Sequence, residues 1–243
     1  MKLKILVAVS ALLASGVSVA NTYQSDVGAQ VSRADIDGSS KINTVGVFGS
    51  YYFDSVNTAN VPLAEAAYLG KNSNAHASAA RSSGGGDHAN AFSLGAEFYI
   101  PENFLYVDVG ATRVTYDGND NNDWYTAVGV TPIDGLRVST TYAHDEGYDA
   151  NIQAKYVTAL GAGEFINVEA EFFDHDDSSY KSVAADYYFD TTLSIGGQIE
   201  NRYSDNAYTL RGRKFFTQDV SGQLSYTDAP NGNIISVGAN IRF

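Results

Sequence analysis

Charged residues recur at every second position inside otherwise alternating segments, and any chemistry this sequence performs must start from them. Glu169 and Glu171 stand two apart, as do Glu200 and Arg202, and Arg211 and Arg213. In an extended chain such pairs share one face. The wider set is Glu97, Asp108, Arg137, Lys155, Glu169, Glu171, Asp186, Glu200, Arg202, Arg211, Arg213 and Arg242. Fixed charges of both signs along a wall can order water and sort dissolved ions. Catalysis reads less well. None of His76, His88, His144 and His175 has a partner at metal-ligand spacing. Asp117 to Asp123 offers oxygens for calcium but lacks the closing bidentate Glu of an EF-hand loop, so it reads as a solvated acidic turn. Ser83-Gly84-Gly85-Gly86-Asp87 lacks the Gly-Lys-Ser/Thr ending of a phosphate loop. With no cysteine, thiol catalysis and Cys-ligated zinc are excluded. The expectation is no enzyme, no metal and no cofactor.

The elements that carry these charges are strands. Alternating segments follow one another, separated by turn residues, near 23–36, 41–53, 64–70, 91–100, 104–116, 123–131, 136–143, 148–158, 164–173, 180–189, 191–203, 207–216, 219–227 and 233–243. About fourteen strands are predicted, with twelve as the alternative. Asp37-Gly38, Asp117-Gly118, Asp134-Gly135 and Asn231-Gly232 favour the tight hairpin turns that need positive φ. Connections are expected to alternate between short apolar-flanked turns and more polar, acidic loops. The run 71–90 reads as the longest connection, a flexible stretch of small residues that either folds inward to narrow a lumen or stays outside.

Alternation alone does not say which face looks inward. Eight strands already make a barrel that side chains just fill, so about fourteen enclose a wider space that apolar rows could not plug. The charged face therefore points to a wet interior. Rows such as Leu94-Ala96-Phe98, Ile166-Val168-Ala170-Phe172 and Ile235-Val237-Ala239-Ile241 then point outward to lipid. Arg113, Lys181 and Lys214 fall on the outward face, each near a strand end where a long side chain snorkels at low cost. Tyr51-Tyr52-Phe53-Asp54 recurs as Tyr187-Tyr188-Phe189-Asp190, with looser echoes at Phe98 and Phe216. All lie at the ends of even-numbered strands. Tyr51, Phe53, Phe98, Tyr187, Phe189 and Phe216 are the candidate interfacial girdle, since amphipathic rings favour the headgroup zone. The last strand alternates strictly and stops on Phe243, which reads as a barrel-assembly signal. The fold expected is an all-β, transmembrane, antiparallel up-and-down barrel.

At the other end, Lys2 and Lys4, the apolar run Ile5 to Val17 and Ser18-Val19-Ala20 read as a secretory signal peptide over residues 1–20, cleaved after Ala20. The barrel would occupy 21–243. Cleavage removes two lysines and takes the net charge from −13 to −15. No basic footprint for nucleic acid is present.

The signal peptide, the repeated Tyr-Tyr-Phe-Asp ends, the segment Pro62-Leu63-Ala64-Glu65-Ala66-Ala67-Tyr68-Leu69 and the terminal Ile241-Arg242-Phe243 together resemble the porin family of gammaproteobacterial outer membranes. The resemblance implies a barrel conducting water and small hydrophilic solutes, with outer-membrane lipid, lipopolysaccharide and the barrel-assembly machinery as partners. The alternative is a surface-exposed binding or adhesion barrel with a closed lumen. Within the lumen, the cations of the last strands and the acids of the middle strands either face each other as a transverse field or pair into salt bridges.

Overall fold

The computed structural model describes residues 21–100, 102, 104–144, 150–175, 178–202 and 205–243, with His175, Ser178 and Arg202 through their backbones only. The signal segment expected over 1–20 lies outside these residues. Strands β1(Thr22–Ile36), β2(Ile42–Asn57), β3(Asn74–Gly84), β4(Asp87–Ile100), β5(Leu105–Tyr116), β6(Asn119–Val130) and β7(Leu136–Ala143) form the first half. The second half is β8(Asn151–Gly161), β9(Glu164–His175), β10(Ser178–Tyr188), β11(Leu193–Arg202), β12(Asp205–Phe215), β13(Val220–Ala229) and β14(Gly232–Arg242).

Each strand pairs antiparallel with its sequence neighbours, and β1 pairs β14 from Asp26↔Arg242 to Ile36↔Gly232, closing a barrel of fourteen strands. Closure leaves no strand edge, the condition for a sheet to sit in hydrocarbon. An even count brings both termini to one end, called here the terminal end.

Three expectations are corrected. Residues 64–70 are not a strand: a 3-10 turn (Leu63–Glu65) runs into a short helix α1(Ala66–Leu69). Pro62 has no N–H for a ladder, and Ala-Glu-Ala-Ala-Tyr-Leu is rich in helix formers. The stretch 71–90 is not a loop. It holds β3, the tight turn at Gly85 and Gly86, and the start of β4. Its outward residues Ala75, Ala77 and Ala79 are too small to register as an apolar row. The asymmetry of loop length is also reversed, because the longest described connection, 58–73, lies at the terminal end.

The two faces divide as alternation requires. Val183, Leu94 and Leu210 are more than half exposed on the outer surface, at 57%, 57% and 63%. Asn167 and Asp186 face inward and are buried at 1% and 7%. A soluble protein would reverse this order. Val183 lies mid-strand on β10, opposite Ala170 and Ile199. Val183→Arg should cost roughly 2–4 kcal/mol of folding stability in lipid, read by urea titration in vesicles. The same change at the rim position Asn122 should cost less than about 1 kcal/mol.

Candidate functional site

Inside the barrel one chain segment crosses from wall to wall. After β2 the chain does not turn straight back into β3. It runs through 58–73 to the far wall, where Leu63 N–H donates to Thr191 O in the β10–β11 turn at 2.8 Å. In the strand order, β10 lies six places from β2 around the fourteen, almost diametrically opposite. The chain then turns through Glu65 and α1 and rejoins the wall, with Phe53 N–H bonded to Ser73 O at 2.9 Å. Asn60 and Lys71, at φ 59° and 51°, make the reversals at either end. This strut packs Ala66 against Tyr23, Tyr52 and Val56 on β1 and β2.

Glu65 is the strut's anchor. It is buried at 6%, accepts from the Tyr188 hydroxyl at 2.7 Å, and pairs with Lys155 Nζ at 2.8 Å. A buried carboxylate is tolerated only with such partners. Tyr68, three residues on, sets its hydroxyl between two carbonyls, Gly135 O at 2.9 Å and Lys155 O at 2.7 Å. Burial raises the Tyr68 phenol above its ordinary range, so it remains a donor. Gly135, at φ +76°, cannot be replaced there, since a Cβ would stand 2.0 Å from Val157 O.

The charges singled out from sequence fall around this strut. Arg137 Nη1 bonds Glu97 Oε1 and the Tyr99 hydroxyl, both at 2.8 Å, and its guanidinium stacks 4.2 Å from the Tyr106 ring. On the other flank Lys155 also reaches Glu169 at 3.3 Å, and Arg211 clamps Asp186 through Nε at 2.8 Å and Nη2 at 2.6 Å. Gly196 makes room for that carboxylate: a Cβ there would lie 2.0 Å from Asp186 Oδ1. The chain of charges thus runs Glu65–Lys155–Glu169–Arg211–Asp186. Pairing, rather than opposed arcs of free charge, describes this level of the lumen.

Other members have neutral partners. Glu171 accepts from Gln153 at 3.1 Å, Glu200 from Tyr180 at 3.2 Å and Asp108 from Tyr125 at 3.3 Å. Arg213 donates to Gln223 at 2.9 Å. Arg242 lies between two rings, 4.5 Å from Tyr23 and 4.4 Å from Phe215. Only the backbone of Arg202 is described.

Sequence reasoning missed the inward aromatics. Tyr51 and Phe53, like Phe98, Phe189 and Phe216, are exposed on the outer face at the terminal end, and Tyr187 packs edge-on to Phe189 at 4.9 Å. The residues between them point the other way: Tyr52, Tyr99, Tyr188 and Phe215 are all buried. Each Tyr-Tyr-Phe-Asp copy therefore serves two surfaces. Tyr52 clusters with Ala66 of the strut, and Tyr188 bonds the adjacent Glu65. Asp190 closes the second copy by accepting from Thr192 N and Oγ1, both at 2.6 Å, and from Leu193 N at 2.9 Å. The Thr192 bonds hold its carboxyl below the usual range. The period of two within the motif was the available signal.

Two cavities flank the strut. One of about 360 Å³ lies beside Gln30, Arg211, Arg213 and Gln223. Another of about 250 Å³ lies beside Asn74, Glu97, Tyr99 and Arg137. Glu65 and Lys155 border both. A third, of about 460 Å³, opens towards the far end among Ser139, Gln153, Glu171 and Gln198. A closed barrel with a polar, partly obstructed interior is now in view, and the family described as "putative general bacterial porin" matches residues 1–131 and 129–243.

The chain belongs to this porin family. It forms an outer-membrane channel that passes small solutes, a fold and family of transport rather than catalysis. Among curated proteins, none matches the sequence. Among solved structures, the chain is similar to the Acinetobacter baumannii outer membrane protein Omp33, with TM-score 0.77 and 23% identity over 92% of this chain and 99% of that one. It is similar in fold to a bacterial polysaccharide outer membrane secretin, with TM-score 0.53 and 9% identity over 93% of this chain and 100% of that one. Pseudomonas putida OprB, in its low-pH structure, gives TM-score 0.50 and 10% identity, covering 91% of this chain and 92% of that one.

The porin's strut supplies a stability test. Glu65→Ala strands the Tyr188 hydroxyl and leaves Lys155 with Glu169 alone, and should cost about 3 kcal/mol on the scale of broken buried pairs. Glu65→Gln keeps an acceptor for Tyr188 and should cost about half that. Urea unfolding in detergent micelles measures both, and equal values for the two variants would contradict the assignment.

Proposed function

We propose that this porin is a narrow passive channel whose working width is set by the strut, not by the barrel. Water and small hydrophilic solutes pass to either side of residues 58–73, along walls that carry Glu97, Asp108, Arg137, Lys155, Glu169, Glu171, Asp186, Glu200, Arg202, Arg211, Arg213 and Arg242. The bridge from Glu65 to Lys155 and Tyr188 carries the reading, because it ties a mid-lumen carboxylate to the wall opposite its own attachment. Paired charges at that level hold water and present little net field, while Glu171 and Glu200 have neutral partners nearer the far end. The terminal end is the periplasmic one. Cleavage after Ala20 delivers residues 21–243, Phe243 addresses them to the barrel-assembly machinery, and Tyr51, Phe53, Phe98, Tyr187, Phe189 and Phe216 form the inner-leaflet girdle. Lipopolysaccharide surrounds the far end.

One observation favours the other reading, a surface-binding barrel with a closed lumen: the strut spans the barrel's full width. Planar bilayers separate the two. The unaltered protein should show discrete conductance steps, and replacing residues 59–72 with a short glycine turn should raise the unitary step several-fold. Silence from the unaltered protein favours the closed barrel, and equal steps from both proteins would remove the strut as the determinant of width. Reversal potentials in a salt gradient provide a second check. Arg213→Gln removes a cation that donates to neutral Gln223, so cation preference over anions should increase while Glu171 and Glu200 remain.

A further inference from the structure

The outer surface carries a repeated device near the far end. Three successive hairpins place an arginine on the rising strand directly opposite an asparagine on the descending strand: Arg33↔Asn43, Arg81↔Asn90 and Arg113↔Asn122. All six are exposed. Their register puts them on the outward face, because Arg81 also pairs with Val45 and Arg113 with Phe92, and Val45 and Phe92 are exposed apolar residues of the outer wall. Each is the first polar outward residue beyond the apolar row on its strand, following Val31, Val45, Ala79, Phe92, Ala111 and Trp124 in turn.

A cation at that level must meet the headgroup layer. Arg113 faces Asp120 on the same surface. Among the described residues, Arg33 and Arg81 have no ion-pair partner, although the lipid-facing wall offers no water to hydrate a free guanidinium below the headgroups. Between Arg81 and Arg113 lies a shallow trough of about 540 Å³, with Ala79 on its floor and Val45, Val47 and Phe92 along its sides. Arginine's planar fork suits phosphate oxygens, and asparagine adds a donor and an acceptor for phosphate or sugar hydroxyl. Alternate strands are about 10 Å apart, so neighbouring arginines can serve two phosphates of one disaccharide headgroup.

We infer that this arc, from β1 to β6, is a binding site for the phosphorylated glycolipid of the outer leaflet. Arg33, Arg81 and Arg113 neutralise its phosphates, and the Ala79 trough receives an acyl chain. The protein's own cations do there what bridging divalent ions do between free lipid molecules. The inference rests on the orientation proposed above, in which the end away from the termini faces outside. Charge complementarity selects the occupant: an inner-leaflet phospholipid would meet the opposite rim, and a soluble phosphate would gain nothing from the trough.

The test uses the full mature barrel, refolded in dodecylmaltoside, with diphosphoryl lipid A as probe in native mass spectrometry. The unaltered protein should retain the lipid, and the triple variant Arg33→Gln, Arg81→Gln, Arg113→Gln should lose affinity at least tenfold. Arg81→Gln alone should lose several-fold and serves if the triple variant does not fold, which heat-modifiable gel mobility reports. Lys214→Gln, an outward cation at the terminal end, should bind as the unaltered protein does. Monophosphoryl lipid A should bind more weakly, and millimolar inorganic phosphate should not compete. Equal retention by the arginine variants, an equal loss in Lys214→Gln, or equal binding of phosphatidylglycerol would overturn the site. Conductance of the same samples keeps the channel reading separate: normal steps without lipid selectivity sink this inference alone, and absent steps with selective binding sink only the channel reading.

Discussion

No backbone amide can be left unpaired in hydrocarbon, and the closed ladder of fourteen strands is the structure's answer to that constraint. Closure fixes everything else. Once the ladder has consumed the main chain, each strand has only its two faces left to vary, and the faces meet different solvents. A valine at 183 and an aspartate at 186 are three residues apart and lie in opposite environments. The same constraint sets a width. A ring of this size is too wide for wall side chains to fill, so the interior must be water, inserted chain or both.

The inserted chain is held by contacts that exist only once the second half of the barrel has begun to form. Glu65 and Tyr188 are 123 positions apart in sequence, and Leu63 reaches the turn after β10. Neither contact forms while the second half of the barrel is missing. Burying a carboxylate at Glu65 is unfavourable by itself and becomes tolerable when Lys155 and Tyr188 arrive on β8 and β10. The strut therefore cannot dock before β8 and β10 are in place, and its docking ties β2 to the far wall. The stacks of Arg242 on Tyr23 and Phe215, and of Arg137 on Tyr106, brace the same end.

The barrel was legible because period-two alternation repeats in nearly every strand, and boundaries such as 136–143 coincide with those observed. The failures have separate physical causes. β3 carries alanine where other strands carry valine or leucine, so its alternation is too faint to stand out, and the neighbouring Ala-Glu-Ala-Ala segment took its place in the reading. Neither course open to 71–90, inward or outside, is the one it takes, since it forms β3 and the start of β4, while the inward segment is 58–73. Its partners were hidden for another reason. Tyr52 and Tyr188 sit inside a motif read as an outward aromatic belt, and only strict application of alternation within that motif turns its middle residue inward. The pairing of Glu65 with Lys155 depends on a diametrical contact that local sequence does not encode.

Arginine does two jobs at the two ends of this molecule, and the difference follows from what surrounds it. At the terminal end Arg137 and Arg242 point inward and lie against rings, where weak hydration of the guanidinium lets it stack and brace the wall. At the far end Arg33, Arg81 and Arg113 point outward beyond the last apolar row, each opposite an asparagine. A lysine in the inward set would lose the planar stack. In the outward set it would lose the fork that grips two oxygens at once. The inward set fixes the shape of the lumen, and the outward set fixes the depth at which the barrel meets its membrane. A shift of the barrel along its axis would drag the outward guanidiniums into hydrocarbon at a cost of roughly 2–4 kcal/mol each near the midplane. The arginine arc therefore holds the level of the wall, and with it the level of the strut that the wall supports.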